Sequence, residues 1–193
     1  MRVARRLKWL ALLILAVGAP ALLGGLSGCA SQPMTPAELA EQDRALRQGV
    51  DESIAAFKQK DPSIQSYFDK AYGYAVFPRV TKGGVGIGGS RGNGRVFERG
   101  RVVGAAEITK LSIGLQLGGQ VFREIIFFED RATMDLFKAG QYALSAEATG
   151  AAAADGAAAS ANYAEGVAVF VMPIEGFMFE AAIGGQRFRY SPL

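Results

Sequence analysis

The chain has 193 residues, half of them hydrophobic, with 21 Lys or Arg, 18 Asp or Glu, one cysteine and no histidine. The lack of histidine excludes Ser-His-Asp and Cys-His catalysis and histidine metal sites, so we predict no enzyme activity, catalytic residue, metal or cofactor. The net charge of +3 comes from Arg2, Arg5, Arg6 and Lys8, after which 17 basic and 18 acidic residues remain. The basic character of the whole chain is therefore no sign of a nucleic-acid partner, and we predict none.

A secretory signal ends at the single cysteine. The basic start is followed by an apolar stretch over residues 9–23, interrupted by Gly18 and Pro20, and then by Leu26-Ser27-Gly28-Cys29. The stretch is too short to span a membrane and is followed by small residues typical of a cleavage site. The pattern resembles the bacterial lipoprotein signal, which implies cleavage before Cys29 and acylation of that residue. An ordinary signal peptide with a chance cysteine is the alternative.

The predicted organisation is a signal peptide over residues 1–28, a lipidated tether over 29–37 and a single domain over 38–193. A mature chain of this size buries about 70% of its unfolded surface and needs no disulfide or metal to fold. Ala30, and not aspartate, follows the cysteine. The lipoprotein resemblance therefore implies sorting to the outer membrane of a Gram-negative cell, with the domain facing the periplasm.

Two helices are predicted at the start of the domain. Thr35-Pro36-Ala37-Glu38 is a capping box with proline at the first helical position. Apolar residues then recur at helical spacing as far as Phe57, which predicts an amphipathic helix ending near Lys60. Asp61-Pro62 begins a second, shorter helix, which Gly73 ends.

Strands and one further helix are predicted after Gly73. A Gly-Asn-Gly sequence at Gly92–Gly94 predicts a hairpin turn, and Arg99–Arg101 predicts another. The most apolar strand, Val121–Phe128, is expected at the centre of the sheet. The other predicted elements are a strand at Tyr74–Pro78, short strands over 102–120, a helix from Glu129-Asp130 to Gly140, and closing strands at Val167–Met172 and Phe177–Ile183. The alanine-rich residues 143–164 are left unassigned.

Paired glycines recur inside the predicted strands. An apolar-Gly-Gly-polar element occurs at Ile87–Ser90, Leu117–Gln120 and Ile183–Gln186. Such pairs weaken a strand, and they make sense where a sheet bends sharply or another backbone comes close. The predicted fold class is therefore α+β: a strongly curved antiparallel sheet or small barrel of Gly-rich strands, with the N-terminal helices and one further helix packed outside.

The order of these elements resembles a SYLF domain. The resemblance begins with the helical pair, Tyr74–Pro78 and Gly83–Gly89, continues through Gly114–Gln120, and ends at Gly176–Gly185. It extends over about Glu38 to Tyr190. Eukaryotic members of the family bind membrane phosphoinositides and a yeast member binds actin. Because a bacterial periplasm normally holds neither ligand, the resemblance implies lipid binding as a class and no particular head group.

A basic segment is the predicted phospholipid-binding site. Between Arg79 and Arg101, six basic residues accompany one acid, Glu98. Each basic residue near an anionic bilayer contributes about 1 kcal/mol of attraction. The alternative is a solvated set of turn residues. The predicted lipid-binding residues are Arg79, Lys82, Arg91, Arg95, Arg99 and Arg101, of which Arg91 and Arg95 flank the predicted Gly92–Gly94 turn and project together from one loop tip.

Two other motifs are weighed and set aside. Gly84–Gly89 satisfies G-x-G-x-x-G, but a turn follows where a dinucleotide site needs a helix. Arg187-Phe188-Arg189-Tyr190 alternates basic and aromatic residues, which suits either a bilayer interface or an edge strand. The edge strand is favoured, because charged residues protect sheet edges.

The function predicted from the sequence is that of an outer-membrane-anchored periplasmic lipoprotein that binds anionic phospholipid. One alternative is a scaffolding lipoprotein that contacts another envelope protein through its sheet edge or first helix. A second is a small integral outer-membrane barrel, which the N-terminal helices, the lipidation signal and the lack of aromatic girdles oppose.

Overall fold

The computed structural model describes residues 33–141, 143–144, 151–152 and 157–193. Residues Thr35–Leu193 form one compact unit. Its helices are α1 (Pro36–Lys60), a 3-10 turn (Pro62–Ile64), α2 (Gln65–Lys70), α3 (Arg131–Lys138) and α4 (Ala157–Ser160). Its strands are β1 (Gly73–Glu98), β2 (Arg101–Phe128), β3 (Ala143–Leu144), β4 (Ala151–Ala152) and β5 (Val167–Pro192).

The N-terminal helices confirm the capping predictions. The Thr35 hydroxyl accepts a hydrogen bond from the Glu38 amide at 3.3 Å, and the Glu38 carboxylate accepts one from the Thr35 amide at 2.7 Å. Helix α1 ends at Lys60, as expected. The Asp61 carboxylate accepts from the Ser63 amide at 3.0 Å and so begins the next helical turn.

Three long strands make the body of the sheet, in the order β1-β2-β5-β3, with β4 beside β5. Strand β2 pairs antiparallel with both β1 and β5, so Val121–Phe128 is central, as predicted. The α+β prediction is confirmed. The sheet is open, because no pairing among the described residues joins β1 to β3 or to β5.

Several strand boundaries differ from the prediction, and the two closing strands expected at Val167–Met172 and Phe177–Ile183 are parts of the single 26-residue β5. Gly92–Gly94 forms no hairpin turn but lies inside the 26-residue β1, where Asn93 pairs with Glu107. Likewise, the short strands expected over 102–120 are part of one strand of 28 residues. The turn that joins β1 to β2 is Arg99–Gly100, with φ of +50° and +76°. The turn predicted at Arg99–Arg101 is therefore confirmed, whereas neither Gly92 nor Gly94 has a positive φ.

Strand β1 folds back across itself. A Cβ atom at Gly94 would lie 2.5 Å from the Val76 carbonyl oxygen, and one at Gly92 would lie 2.8 Å from that of Arg79. The Arg99 amide donates to the Tyr72 carbonyl oxygen at 3.0 Å, so residues at the two ends of β1 meet. We call this meeting point the closed end of the sheet. The contacts are centred near Val85, where the strand bends.

The bend crosses all three long strands, because β2 and β5 stay paired on both sides of it. We call it the fold line; it comprises residues 85–87 of β1, 113–117 of β2 and 179–183 of β5. The glycine pairs border it. Gly83-Gly84 pairs with Gly118-Gly119 on one side, and Gly88-Gly89 shares its rows with Gly184-Gly185 on the other. The prediction that paired glycines mark a sharply curved sheet is therefore confirmed.

Two hydrophobic clusters hold the folded sheet together. The fold line divides the sheet into a first half, which contains residues 73–84 of β1, and a second half, which contains residues 88–98. One cluster lies between these halves and includes Phe77, Ile108, Phe128 and Phe188, with Met134 and Phe137 of α3. The second lies on the other face of the first half, under the helices, and includes Val50, Phe57, Tyr67, Phe127 and Phe170. Alternation along each strand divides the two, since Ala75 and Phe77 face one cluster and Val76 the other. Every member lies within Thr35–Leu193, so the chain from Ala30 onward contains both described clusters.

Candidate functional site

A basic surface lies on the outer face of the second half of the sheet, beyond the fold line. There the inner face of the sheet contains the buried residues Gly92, Ile108 and Phe188. Because successive residues of a strand face opposite sides, the residues next to these in sequence face outward. The pairing sets these neighbours in two rows across β1, β2 and β5. One row is Arg91, Thr109 and Arg187, and the next is Asn93, Glu107 and Arg189.

These side chains line a cavity of about 430 Å³, which we call the basic cleft. An Arg91 Nη atom lies 2.7 Å from one Glu107 carboxylate oxygen, and an Arg189 Nη atom lies 3.7 Å from the other. The side chains of Arg91 and Arg189 are 76% and 82% exposed. Two arginines thus contact one carboxylate, and a third, Arg187, lines the same cavity. Because exposed ion pairs contribute about 0–1 kcal/mol, these guanidiniums exchange partners at little cost. The lining residues are Arg91, Glu107, Thr109, Gly140, Arg187, Phe188 and Arg189.

Buried aromatic packing positions the β5 side of the cleft. The Phe188 ring lies 5.0 Å from the Phe137 ring and 6.2 Å from the Phe77 ring, so it holds β5 against the core. Gly140 ends α3 with φ of +68°, as the sequence predicted, and lies at the cleft wall. Strand β3 pairs Ala143 with Arg187. The alternation Arg187-Phe188-Arg189 therefore presents two arginines on one face and anchors the strand through the other.

Three of the basic residues predicted from the sequence lie on β1 near the fold line. They are Arg79, Lys82 and Arg91, each within about six residues of it. The Arg79 side chain is exposed and lies 3.9 Å from Glu175. Together with Arg91 and Arg123 it borders a second groove, of about 680 Å³, beside α1. Lys82 is half-buried and pairs in register with Gln120. Arg91 borders both cavities.

Arg95 belongs to the fold and is not displayed with Arg91. Its side chain is 6% exposed and forms an ion pair with Asp43 of α1. Asp43 also accepts a hydrogen bond from Arg47 Nε at 2.8 Å. The prediction that Arg91 and Arg95 project together from a loop tip is wrong, because both lie in a continuous strand and α1 covers one of them.

Arg99 and Arg101 lie at the closed end of the sheet. Both are exposed, and the Arg99 guanidinium lies over the Tyr72 ring, 5.3 Å from its centre. Eight residues of extended strand, about 26 Å, separate Arg91 from Arg99. The six basic residues predicted from the sequence therefore do not form one cluster.

Sequence reasoning missed two groups of residues. It favoured an edge strand over a bilayer interface for Arg187 and Arg189, although their alternation with aromatic residues was a usable signal. It also gave no role to four aliphatic side chains in or next to the fold line, each 62–77% exposed. They are Val85, Ile87, Leu111 and Leu117, and we call them the fold-line patch.

The shifted pKa values lie away from the cleft. Hydrogen bonds from Lys138 and Tyr72 lower the pKa of Glu98, and burial raises the pKa of Tyr163 to about 12. Within the described ranges, no group of acidic or sulfur-bearing side chains is placed to hold a metal ion. Across the same residues, no helix combines the length and the apolar character needed to cross a bilayer.

No family model matches the chain. Among curated proteins, it is similar to Beta cell expansion factor A of Aeromonas veronii, with 27% identity over 165 residues. The alignment covers 82% of this chain and 60% of that protein, so the chain spans about 60% of its relative's length. The alignment is as long as a whole domain, so the similarity is not confined to one short motif.

Proposed function

We propose that this protein is a SYLF-domain lipoprotein, anchored through Cys29 in the outer membrane and facing the periplasm, whose domain binds anionic phospholipid. The observation that supports lipid binding is the basic cleft, which three arginines and a single carboxylate line. The similarity to a bacterial protein over 82% of the chain supports a bacterial domain of this size. Cys29 lies outside the described residues, so the anchor is inferred from the sequence alone.

The chemistry of the cleft suits a phosphate group. Arg91 and Arg187 flank Thr109 in one row, which offers two guanidiniums and a hydroxyl to the same anion. Guanidinium is the side-chain group that matches phosphate oxygens in a bidentate way. If a phosphate binds Arg91 and displaces Glu107, the Glu107 carboxylate still has Arg189 as an ion-pair partner. A cavity of about 430 Å³ accommodates a phospholipid head group.

A short tether makes weak binding sufficient. Five residues, Ala30–Met34, separate Cys29 from the capping residue Thr35. Five residues span at most about 18 Å, so the domain stays at the membrane surface. Tethering of this kind gives a high effective concentration and converts modest affinity into nearly full occupancy.

The test uses residues 30–193, which lack the lipid anchor, and measures co-sedimentation with vesicles of phosphatidylcholine with or without phosphatidylglycerol. Arg91→Gln with Arg187→Gln removes two cleft cations. We expect the affinity for anionic vesicles to fall by about 2 kcal/mol, or about 30-fold, since each surface cation contributes about 1 kcal/mol. Added salt should narrow the difference, because exposed charges are screened.

The matched control is Arg44→Gln with Arg131→Gln, which removes the same charge at exposed positions on α1 and α3. It should bind almost as the unsubstituted domain does. An equal loss in both double variants would reject the cleft, and equal binding to neutral and anionic vesicles would reject the proposed ligand. In the latter case a scaffolding role becomes the better account. The anchor is tested separately, since Cys29→Ala should move the full chain out of the membrane fraction.

A further inference from the structure

The fold-line patch is an exposed apolar surface on adjacent strands. Val85 of β1 pairs directly with Leu117 of β2, and Leu111 pairs with Gly89, two residues from Ile87. Side chains on neighbouring strands at such positions are close enough to form one surface. Each of the four is 62–77% exposed.

The patch consists of large aliphatic side chains at the bend of the sheet. The bend itself requires the neighbouring glycines but not these large residues, since a polar side chain pointing outward fits the same backbone. The fold alone therefore does not account for the patch.

The patch lies beside the basic cleft on the same outer face. Leu111 follows Thr109 by two residues, so the apolar row begins about 7 Å from the row of Arg91 and Arg187. Arg91 and Arg187 are therefore the cations that adjoin the patch on this face. Cations bordering an aliphatic surface match the order of an anionic bilayer, in which phosphates lie above acyl chains. This charge arrangement favours a lipid surface over a second copy of the chain.

We propose that the fold-line patch inserts into the boundary between head groups and acyl chains while the basic cleft holds phosphates above it. The inference rests on the proposed function and assigns the insertion site. The spacing of about 7 Å between the basic row and Leu111 matches the 5–10 Å depth of interfacial insertion. Insertion is shallow because β1 lies at the edge of the sheet, where its outer backbone groups need water.

The experiment exploits tryptophan. The only tryptophan of the chain is Trp9, so residues 30–193 contain none. Ile87→Trp places a unique reporter in the patch, and Leu136→Trp places a matched one at an exposed position of α3. With vesicles containing phosphatidylglycerol, we expect a blue shift and quenching by nitroxide-labelled acyl chains for Ile87→Trp alone.

A polar double variant, Ile87→Asn with Leu117→Asn, measures the contribution of the patch to binding. We expect the affinity for anionic vesicles to fall about tenfold for each aliphatic side chain lost, with an unchanged thermal midpoint. Should that variant fail to fold, the quenching experiment still decides the question.

Three results would overturn the inference. If binding depends on Arg91 and Arg187 but Ile87→Trp is not quenched, insertion is wrong and the proposed function stands. If the unsubstituted domain ignores anionic vesicles, both fail. A dimer in solution that Ile87→Asn dissociates would assign the patch to a second copy of the chain.

Discussion

Large apolar residues are buried at one end of the folded sheet and exposed at the other. At the closed end, Phe77 is fully buried between the two halves of the sheet, and Phe127 is fully buried under the helices. At the fold line, Val85 and Ile87 on the same strand as Phe77 are largely exposed. The difference arises from what covers each region, because α1, α2 and α3 pack toward the closed end and glycines surround the fold line. An apolar residue in a strand is thus a poor indicator of burial until its covering layer is known.

The largest expected effect sets the two ends directly against each other. Phe127 packs against Tyr67, Phe68, Tyr74 and Phe170, with ring centroids 4.9–5.9 Å away. Phe127→Ala should lower the free energy of unfolding by about 3–5 kcal/mol, whereas Ile87→Ala should change it by no more than about 0.5 kcal/mol. Urea denaturation of residues 30–193 measures both. Similar losses at the two positions would remove the distinction between the two regions.

A second test compares glycines. A Cβ at Gly94 would lie 2.5 Å from the Val76 carbonyl oxygen, whereas one at Gly119, beside the fold line, would lie 3.6 Å from that of Lys82. Gly94→Ala should therefore cost about 1–3 kcal/mol through overpacking. Gly119→Ala should be nearly neutral, because its new methyl group finds ordinary contact distance and restricts the unfolded chain. Equal thermal midpoints for the two variants would argue against the close crossing of β1 on itself.

The smallest expected effect concerns pH at the closed end. Hydrogen bonds from Lys138 and Tyr72 hold the pKa of Glu98 below the 4.5 of an unperturbed glutamate. A carboxylate with a lowered pKa stabilises the folded state above its unfolded pKa, and this contribution is lost as pH falls through the folded pKa. Between neutral pH and about 3, the unsubstituted domain should lose more stability than Glu98→Gln does. Parallel pH profiles for the two proteins would show that Glu98 contributes nothing.

Local signals in the sequence were enough to predict the ends of several elements. The capping residues Thr35 and Asp61 and the stop at Gly140 act within a few residues, so the sequence contains both partners of each interaction. Gly92–Gly94 was misassigned because Gly-Asn-Gly suits a turn and a close contact equally. What decides between them here is the approach of Val76, 18 residues before Gly94.

The candidate site was predictable only in part, for the same reason. Arg91 was identified from charge, but Arg187 joins it through two strand pairings that no local pattern specifies. The burial of Arg95 likewise depends on Asp43, which lies on a helix 52 residues earlier. The count of basic residues identified β1 as part of the candidate site. Only the pairing of β1, β2 and β5 showed which arginines share a surface.

The pairing of distant segments also has a kinetic consequence. Gly104 pairs with Pro192, and the Leu193 amide donates to the Val103 carbonyl oxygen at 3.2 Å. Contacts between residues so far apart in the chain close large loops, and folds dominated by them form slowly. The second half of the sheet, including the basic cleft, is completed only when residues 185–192 have joined β2. A growing chain therefore cannot complete the basic cleft until residues 185–192 have been synthesised.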